Sequence, residues 1–215
     1  GWGPVVREKP AWMIMESPAV GVVVTAFMLG NGWQTIPGIA FLVLWLSHYA
    51  QRTFVYPLLI AKNEKSFPAV LVAMAFIFNL MNGYIIGFDL YMRAPIPTAA
   101  WLLDARFIIG TALFVTGYTA NLYADRVLRR LKKKNEGRYA IPRGGLFEYV
   151  SSPNYLGEMI EWAGFALLTW SAAGLVFALF TMANLLPRAL SHHRWYRAQF
   201  HDYPAQRKAV IPHIL

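Results

Sequence analysis

The feature that most constrains this chain is the sixfold return, within 215 residues, of an apolar run long enough to cross a bilayer. A helix of about 20 apolar residues spans the hydrocarbon core, because in lipid every backbone N–H and C=O must be satisfied inside the segment. The runs fall at 12–30, 37–60, 68–92, 101–125, 154–170 and 173–197. Pro37, Pro68, Pro153 and the Pro95/Pro97 pair stand at or between their ends, where a proline removes no helical hydrogen bond. A soluble domain carries nearer ~25% charged residues, whereas this chain has 14% charged and 57% hydrophobic residues. The expected fold class is therefore all-α: a polytopic membrane helix bundle with six transmembrane helices visible in the chain.

The net charge of +9 raises nucleic acid as a partner, but the positions of the cations exclude it. Arg7 and Lys9 lie in the leader, and Lys62 and Lys65 in the second connection. Arg126, Arg129, Arg130, Lys132, Lys133, Lys134, Arg138 and Arg143 fill the fourth, while Arg188, Arg194, Arg197, Arg207 and Lys208 lie toward the C-terminus. Only Arg52, Arg93 and Arg106 of the 20 lysines and arginines fall elsewhere. Six crossings put all four basic regions on one side, so the positive-inside rule makes the basic loops and the C-terminus cytoplasmic. The membrane would be the inner membrane in a bacterium or the endoplasmic reticulum in a eukaryote. The basic patch serves topology and anionic-lipid contact and can also bind an anionic cofactor. The absence of cysteine excludes disulfides, thiolate metal sites and a cysteine nucleophile. Arg7 and Lys9 precede a segment interrupted by Glu16 and Pro18, which is no cleavable signal. The connection at about 126–152 is too short for a domain, so any site must be built from the helices and their cytoplasmic loops.

Polar residues recur at helical spacing on these runs, and polar groups in a membrane are usually paired or functional. Asn154, Glu158 and Glu161 follow i, i+4, i+7 on the fifth. Glu16 sits among Trp12, Met15 and Pro18 on the first, where an interfacial position would make it ordinary. Trp45, Tyr49 and Arg52 share a stripe on the second, beside His48, although Tyr49 could be an interfacial aromatic. Asn121, Asp125, Arg129 and Lys132 close the fourth, which could simply emerge from the bilayer with an Asp-to-Arg pair. Asn184, Arg188, His192 and Tyr196 step by four along the last. Guanidinium and ammonium groups bind phosphate, amides and carboxylates bind ribose and carboxamide, and aromatics stack on flat rings, so the set suits a nucleotide. No Gly-x-Gly-x-x-Gly follows a strand, and no Gly-Lys-Ser/Thr loop occurs. His192 and His193 point to different helix faces, so no metal is expected.

In order along the chain stand Ala11-Trp12 with Met15-Glu16-Ser17-Pro18, His48-Tyr49 with Arg52-Thr53-Phe54-Val55-Tyr56, and Asn121 with Asp125. Ile141-Pro142-Arg143-Gly144-Gly145-Leu146-Phe147 follows, then Tyr149-Val150-Ser151 and Asn154-Tyr155-Leu156-Gly157-Glu158 with Glu161-Trp162. Arg188-Ala189, His192-His193, Tyr196, Asp202-Tyr203-Pro204, Arg207-Lys208-Ala209 and Ile211-Pro212 complete the series. In these residues the chain resembles the steroid 5α-reductase family, as a bacterial or plant-like member. The resemblance covers nearly the whole chain. It implies NADPH-dependent reduction of the C4–C5 double bond of 3-oxo-Δ4 steroids by a seven-helix membrane protein. The seventh helix would precede the Trp12 segment and is expected to be missing from this chain, which begins at Gly1.

The resemblance further implies one reductase domain over 1–215, with helices of about 1–100 forming the substrate pocket and about 101–215 the NADPH-binding half. It assigns Glu16 and Tyr49 to the substrate's C3 carbonyl oxygen as the catalytic pair. It assigns Asn121, Asp125, Lys132, Tyr139, Asn154, Glu158, Arg188, His192 and Tyr196 to NADPH. A neutral Glu16 carboxyl could donate beside the Tyr49 phenol, because burial favours a carboxyl's neutral form. Met15 matches plant-type members, where animal ones often have glutamine, and so bears on substrate choice. Lys132 stands where an arginine is usual and gives up bidentate phosphate geometry. Ser191 and Ala140 also depart from animal members. The expected partners are a steroid or another apolar enone and the lipid bilayer, without nucleic acid or metal, and the chain is expected to be a monomer. Two other chemistries compete: the same reduction on enoyl thioesters or polyprenoids, and S-adenosylmethionine-dependent methyl transfer of the isoprenylcysteine type. Ser152-Pro153-Asn154-Tyr155-Leu156-Gly157 partly echoes the methyltransferases, but the Arg-His they carry before the proline is absent. A non-catalytic scaffold would make the polar stripes helix-packing contacts.

Overall fold

The computed structural model describes residues 3–60, 65–93, 95–135 and 138–215; Lys62, counted above among the basic-side cations, lies outside them. Each apolar run forms helix. The helices are α1 (Glu8–Leu29), α2 (Ile36–Ala50), α3 (Tyr56–Leu59), α4 (Ala69–Tyr91), α5 (Ala105–Lys134), α6 (Pro153–Thr169) and α7 (Ala172–Gln199). A five-residue π-turn, Gln51–Val55, joins α2 to α3. Two short strands, β1 (Val5–Arg7) and β2 (Ser66–Pro68), pair antiparallel with Val6 opposite Phe67, a ribbon that the all-α expectation did not contain.

Four helices, α1, α4, α5 and α7, are long and apolar enough to cross a membrane, and the chain is a polytopic helical membrane protein. The other two runs give shorter helices. α6 has 17 residues, and the second run is divided into α2 of 15 residues, the π-turn and a four-residue α3. α5 continues to Lys134, so the first part of the basic connection is helix rather than loop. Lys132, Lys133 and Lys134 occupy its last turn, where positive charge complements the exposed carbonyls.

Local signals place the helix starts. Thr35 caps α2, its hydroxyl accepting from the Gly38 N–H at 3.1 Å, with Pro37 in the first turn. Pro153 opens α6. Before α5, the Asp104 carboxylate accepts from the Arg106 backbone N–H at 2.8 Å and from its guanidinium at 2.9 and 2.8 Å. The side-chain bond with Arg106 leads in holding the Asp104 carboxyl down to about 2, the backbone bond adding to it. A carboxyl lowered on folding stabilises the fold above its ordinary range and loses that contribution as pH falls toward about 2. The cap is therefore complete at neutral pH.

The chain divides into two compact units, Gly1–Ile108 with Ser171–Ala173, and Ile109–Trp170 with Gly174–Leu215. In the first, α4 lies tight against α1. A Cβ on Gly87 would meet the Ala26 Cβ at 2.6 Å, and one on Gly83 would meet Val22 and Ala19 at 3.3 and 3.4 Å. The ribbon joins the starts of these two helices over a small core of Ala11, Met15 and Val72, flanked by Trp12 and Phe67. Trp45 of α2 is fully buried and donates from Nε1 to the Ala19 carbonyl at 2.9 Å. Asp89 is paired with Arg93 and accepts from the Ala173 N–H at 3.0 Å.

In the second unit α5 and α6 cross with their backbones almost touching. A Cβ on Gly110 would sit within 3.0 Å of Gly164 O and Leu168 N, and one on Gly117 within 3.0 Å of Gly157 O and Glu161 N. The reciprocal substitutions at Gly157 and Gly164 meet α5 backbone at 2.5–2.6 Å. The glycines stand seven apart on each helix, so they stay on one face and meet in antiparallel order. Phe114, Trp162, Phe165 and Leu168 pack around the crossing as its core. The C-terminal tail pairs with the loop ahead of α6: Ser151 and Ser152 donate backbone N–H bonds to Lys208 and Ala209, and Lys208 donates to Tyr149.

Candidate active site

Glu16 lies in mid-α1 with a side chain 13% exposed. The Asn79 amide of α4 donates to its Oε2 at 3.3 Å and to the Met15 carbonyl at 2.8 Å. The Arg52 guanidinium stands 3.8 Å from Oε1. Arg52 belongs to the π-turn, whose extra residue redirects the side chains that follow Tyr49, a common device at functional sites. Its guanidinium lies over the rings of Trp12 at 4.8 Å and Tyr56 at 5.5 Å. Tyr49, the last but one residue of α2, is buried with its ring 4.5 Å from Trp45 and 5.2 Å from His48. The Asn82 amide donates to its phenolic oxygen at 3.5 Å. Thus Arg52 faces the Glu16 carboxylate directly, while Tyr49 and Glu16 are each joined to α4, through Asn82 and Asn79. Met15 is buried against Ala11 and Val72.

Asn79 and Asn82 lie on a run that carries no charge before Asp89 and stands outside the polar stripes named above. The signal that finds them is the rule already applied to Asn121: an amide inside an apolar helix needs a partner.

In the second unit Asn121 is the hub. It is buried, and its amide donates to the Asn154 carbonyl at 3.0 Å and to Glu158 at 3.5 Å, joining α5 to the start of α6. His192 of α7 stacks on Tyr155 at 5.5 Å, and Arg188 is exposed one turn earlier. Tyr139, exposed, meets the Trp195 ring at 4.8 Å, and Trp195 in turn meets Tyr196. Asp125 and Lys132 are half-buried on α5. Glu161 stands apart from its stripe-mates: it is fully buried at the Gly117 crossing, while Arg143 lies 4.0 Å from Asp202. Among the described residues, no group of three or more His, Asp or Glu side chains is arranged to hold a metal ion.

The tail closes this unit. Ser151 Oγ lies 2.6 Å from His193 Nδ1 and 2.7 Å from the Tyr203 hydroxyl, and donates to the Lys208 carbonyl at 3.0 Å. Arg207, counted above among the basic-side cations, is buried. Its Nη1 donates to the Pro142 carbonyl at 3.1 Å, Nη2 lies 3.9 Å from Glu148, and the guanidinium covers the Tyr203 ring at 5.0 Å. Hydrogen bonds from a charged donor contribute about 1.5–3 kcal/mol. Arg207→Ala is therefore expected to loosen the tail by about that much, seen as faster proteolysis within 200–215 while the α5–α6 core stays protected.

Comparison with known proteins places these clusters in context. Residues 65–215 match the family described as 3-oxo-5-alpha-steroid 4-dehydrogenase. The chain is 44% identical to the steroid 5-alpha-reductase DET2 of Arabidopsis thaliana, over 100% of this chain and 84% of the relative. It is 48% identical to the DET2 protein of Solanum lycopersicum, over 99% and 83%. With the 3-oxo-5-alpha-steroid 4-dehydrogenase 1 of Rattus norvegicus it shares 44% identity, over 98% and 81%. Such agreement along nearly the full length of plant and animal relatives leaves one conclusion: the chain belongs to the steroid 5α-reductase (3-oxo-5-alpha-steroid 4-dehydrogenase) family, oxidoreductases acting on CH–CH groups.

Proposed function

We propose that this chain reduces the C4–C5 double bond of 3-oxo-Δ4 steroids to the 5α product, with Glu16 and Tyr49 binding the C3 carbonyl oxygen. The observation that carries the assignment is the polar nest of the first unit, where a buried phenol and a largely buried carboxyl are each held by an amide of α4. Reduction of an enone puts negative charge on its carbonyl oxygen, and donors fixed there in advance stabilise it without reorganisation. Tyr49 supplies an O–H donor. A Glu16 carboxyl in its neutral form, its Oε2 held by Asn79, supplies a second, and the Arg52 guanidinium beside it adds positive charge toward the developing oxyanion. The proton that completes the reaction reaches the α-carbon from solvent or by relay.

The donor set of the second unit fits NADPH chemically. It combines cations for phosphate, an amide and carboxylates for ribose and carboxamide, and aromatic faces for flat rings. Asn121, Asp125, Lys132, Tyr139, Asn154, Glu158, Arg188, His192 and Tyr196 would hold it. When bound, NADPH supplies the hydride that adds at C5. On this reading the helices up to about residue 100 bind substrate and the remainder bind cofactor. All six apolar runs cross the membrane, with the basic loops and C-terminus cytoplasmic, and the protein works as a monomer.

Thermal-shift measurements on the detergent-solubilised protein test the cofactor. NADPH is expected to raise the unfolding midpoint, NADH less, and S-adenosylmethionine not at all. Stabilisation by S-adenosylmethionine alone would overturn the proposal. NADPH oxidation with a panel of 3-oxo-Δ4 steroids, enoyl thioesters and polyprenals then sorts the substrates, with the steroids expected to be reduced fastest.

A further inference from the structure

We infer that α4 carries two positioning residues for the reduction, Asn79 acting through the Glu16 carboxyl and Asn82 through the Tyr49 phenol; this rests on the assignment of Glu16 and Tyr49 to the substrate carbonyl. Amides are costly to bury in an apolar helix, yet α4 buries both of these. They stand three residues apart and so share one helix face. Gly83 and Gly87 continue that face and let α4 approach α1 closely enough for a short amide to reach it.

Each amide has a defined task. The 2.8 Å bond from Asn79 Nδ2 to the Met15 carbonyl fixes the amide relative to the backbone that carries Glu16. The same nitrogen, 3.3 Å from Oε2, then selects one orientation of the carboxyl and leaves Oε1 on the Arg52 side. Asn82 Nδ2, 3.5 Å from the phenolic oxygen, donates to it and so turns the O–H proton away from α4. Neither asparagine needs to touch the substrate. Together they set where the two donors point before the substrate arrives, and a displacement of about 1 Å at such a group can cost 10²-fold in rate.

The test measures kcat and KM for testosterone and for NADPH, with thermal midpoints, on the whole chain in detergent. The variants are Asn79→Ala, Asn82→Ala, Glu16→Gln, Tyr49→Phe and the doubles Asn79→Ala/Glu16→Gln and Asn82→Ala/Tyr49→Phe. Each asparagine variant is expected to lower kcat by about 10- to 10²-fold with the KM for NADPH unchanged. In each double the asparagine change should add nothing to the loss already caused by its partner, because the group it acts through is gone. Asn82→Asp should lose more than Asn82→Ala, since an acceptor there draws the phenol proton toward α4. Where an alanine variant fails to fold, the near-isosteric Asn79→Asp or Asn82→Asp takes its place in the cycle. Losses that multiply in the doubles, or that follow the thermal midpoint with kcat per folded enzyme intact, would overturn the inference and leave the catalytic assignment standing. Wild-type rates in Glu16→Gln and Tyr49→Phe would remove both.

Discussion

Tyr49→Phe is expected to lower steroid turnover by a factor on the order of 10²–10³ and to leave NADPH binding intact, because each lost oxyanion donor costs about that much. The ring is buried between Trp45 and His48, so removal of one oxygen leaves its packing in place. The change therefore falls on the donated hydrogen bond and not on the fold. Glu16→Gln should behave alike, keeping the Asn79 contact in shape while replacing the carboxyl's O–H. Single-turnover rates with saturating NADPH, beside NADPH titrations of each variant, separate chemistry from binding. Equal loss of NADPH affinity in both variants would show that the pair serves the cofactor instead.

The second large effect lies in the second unit, where Gly117→Leu is expected to yield no folded protein and Gly117→Ala to cost about 3 kcal/mol or more. Overpacking a side chain typically costs about 1–3 kcal/mol because neighbours can shift. Here the atoms met are the backbone of Gly157 and Glu161, which cannot move without separating the helices. Separation would also pull the Asn121 amide from Asn154 and Glu158. Loss of packing and loss of cofactor binding should therefore appear together. Monodispersity after solubilisation and NADPH-induced thermal shift measure the two. Wild-type behaviour of Gly117→Leu would contradict the close crossing.

Much of this architecture was legible in the chain because lipid leaves few options. All six apolar runs became helix, and Pro37 and Pro153 marked real starts. The stripe spacing places Glu158 toward Asn121, whose amide also reaches the Asn154 backbone carbonyl. Other features depend on contacts that no local pattern encodes. The π-turn at Gln51–Val55 inserts a residue into a run whose period looks continuous, so the second run read as one long helix. The ribbon pairs residues about 60 apart, through segments too short to show alternation. Nothing local distinguishes Arg207 from the cation beside it, Lys208, yet the Pro142 carbonyl and Tyr203 ring bury it. The α4 amides were hidden by the greasiness of their own run, and their role became visible only with α1 alongside.

The most direct measurement follows the hydride. The purified protein is incubated with testosterone and NADPH deuterated at nicotinamide C4, and the product is examined by mass spectrometry and NMR. The account predicts a 5α-dihydro product with one deuterium at C5 and a solvent-derived hydrogen at C4. A deuterium at C4, or no NADPH-dependent product from any 3-oxo-Δ4 steroid, would contradict it.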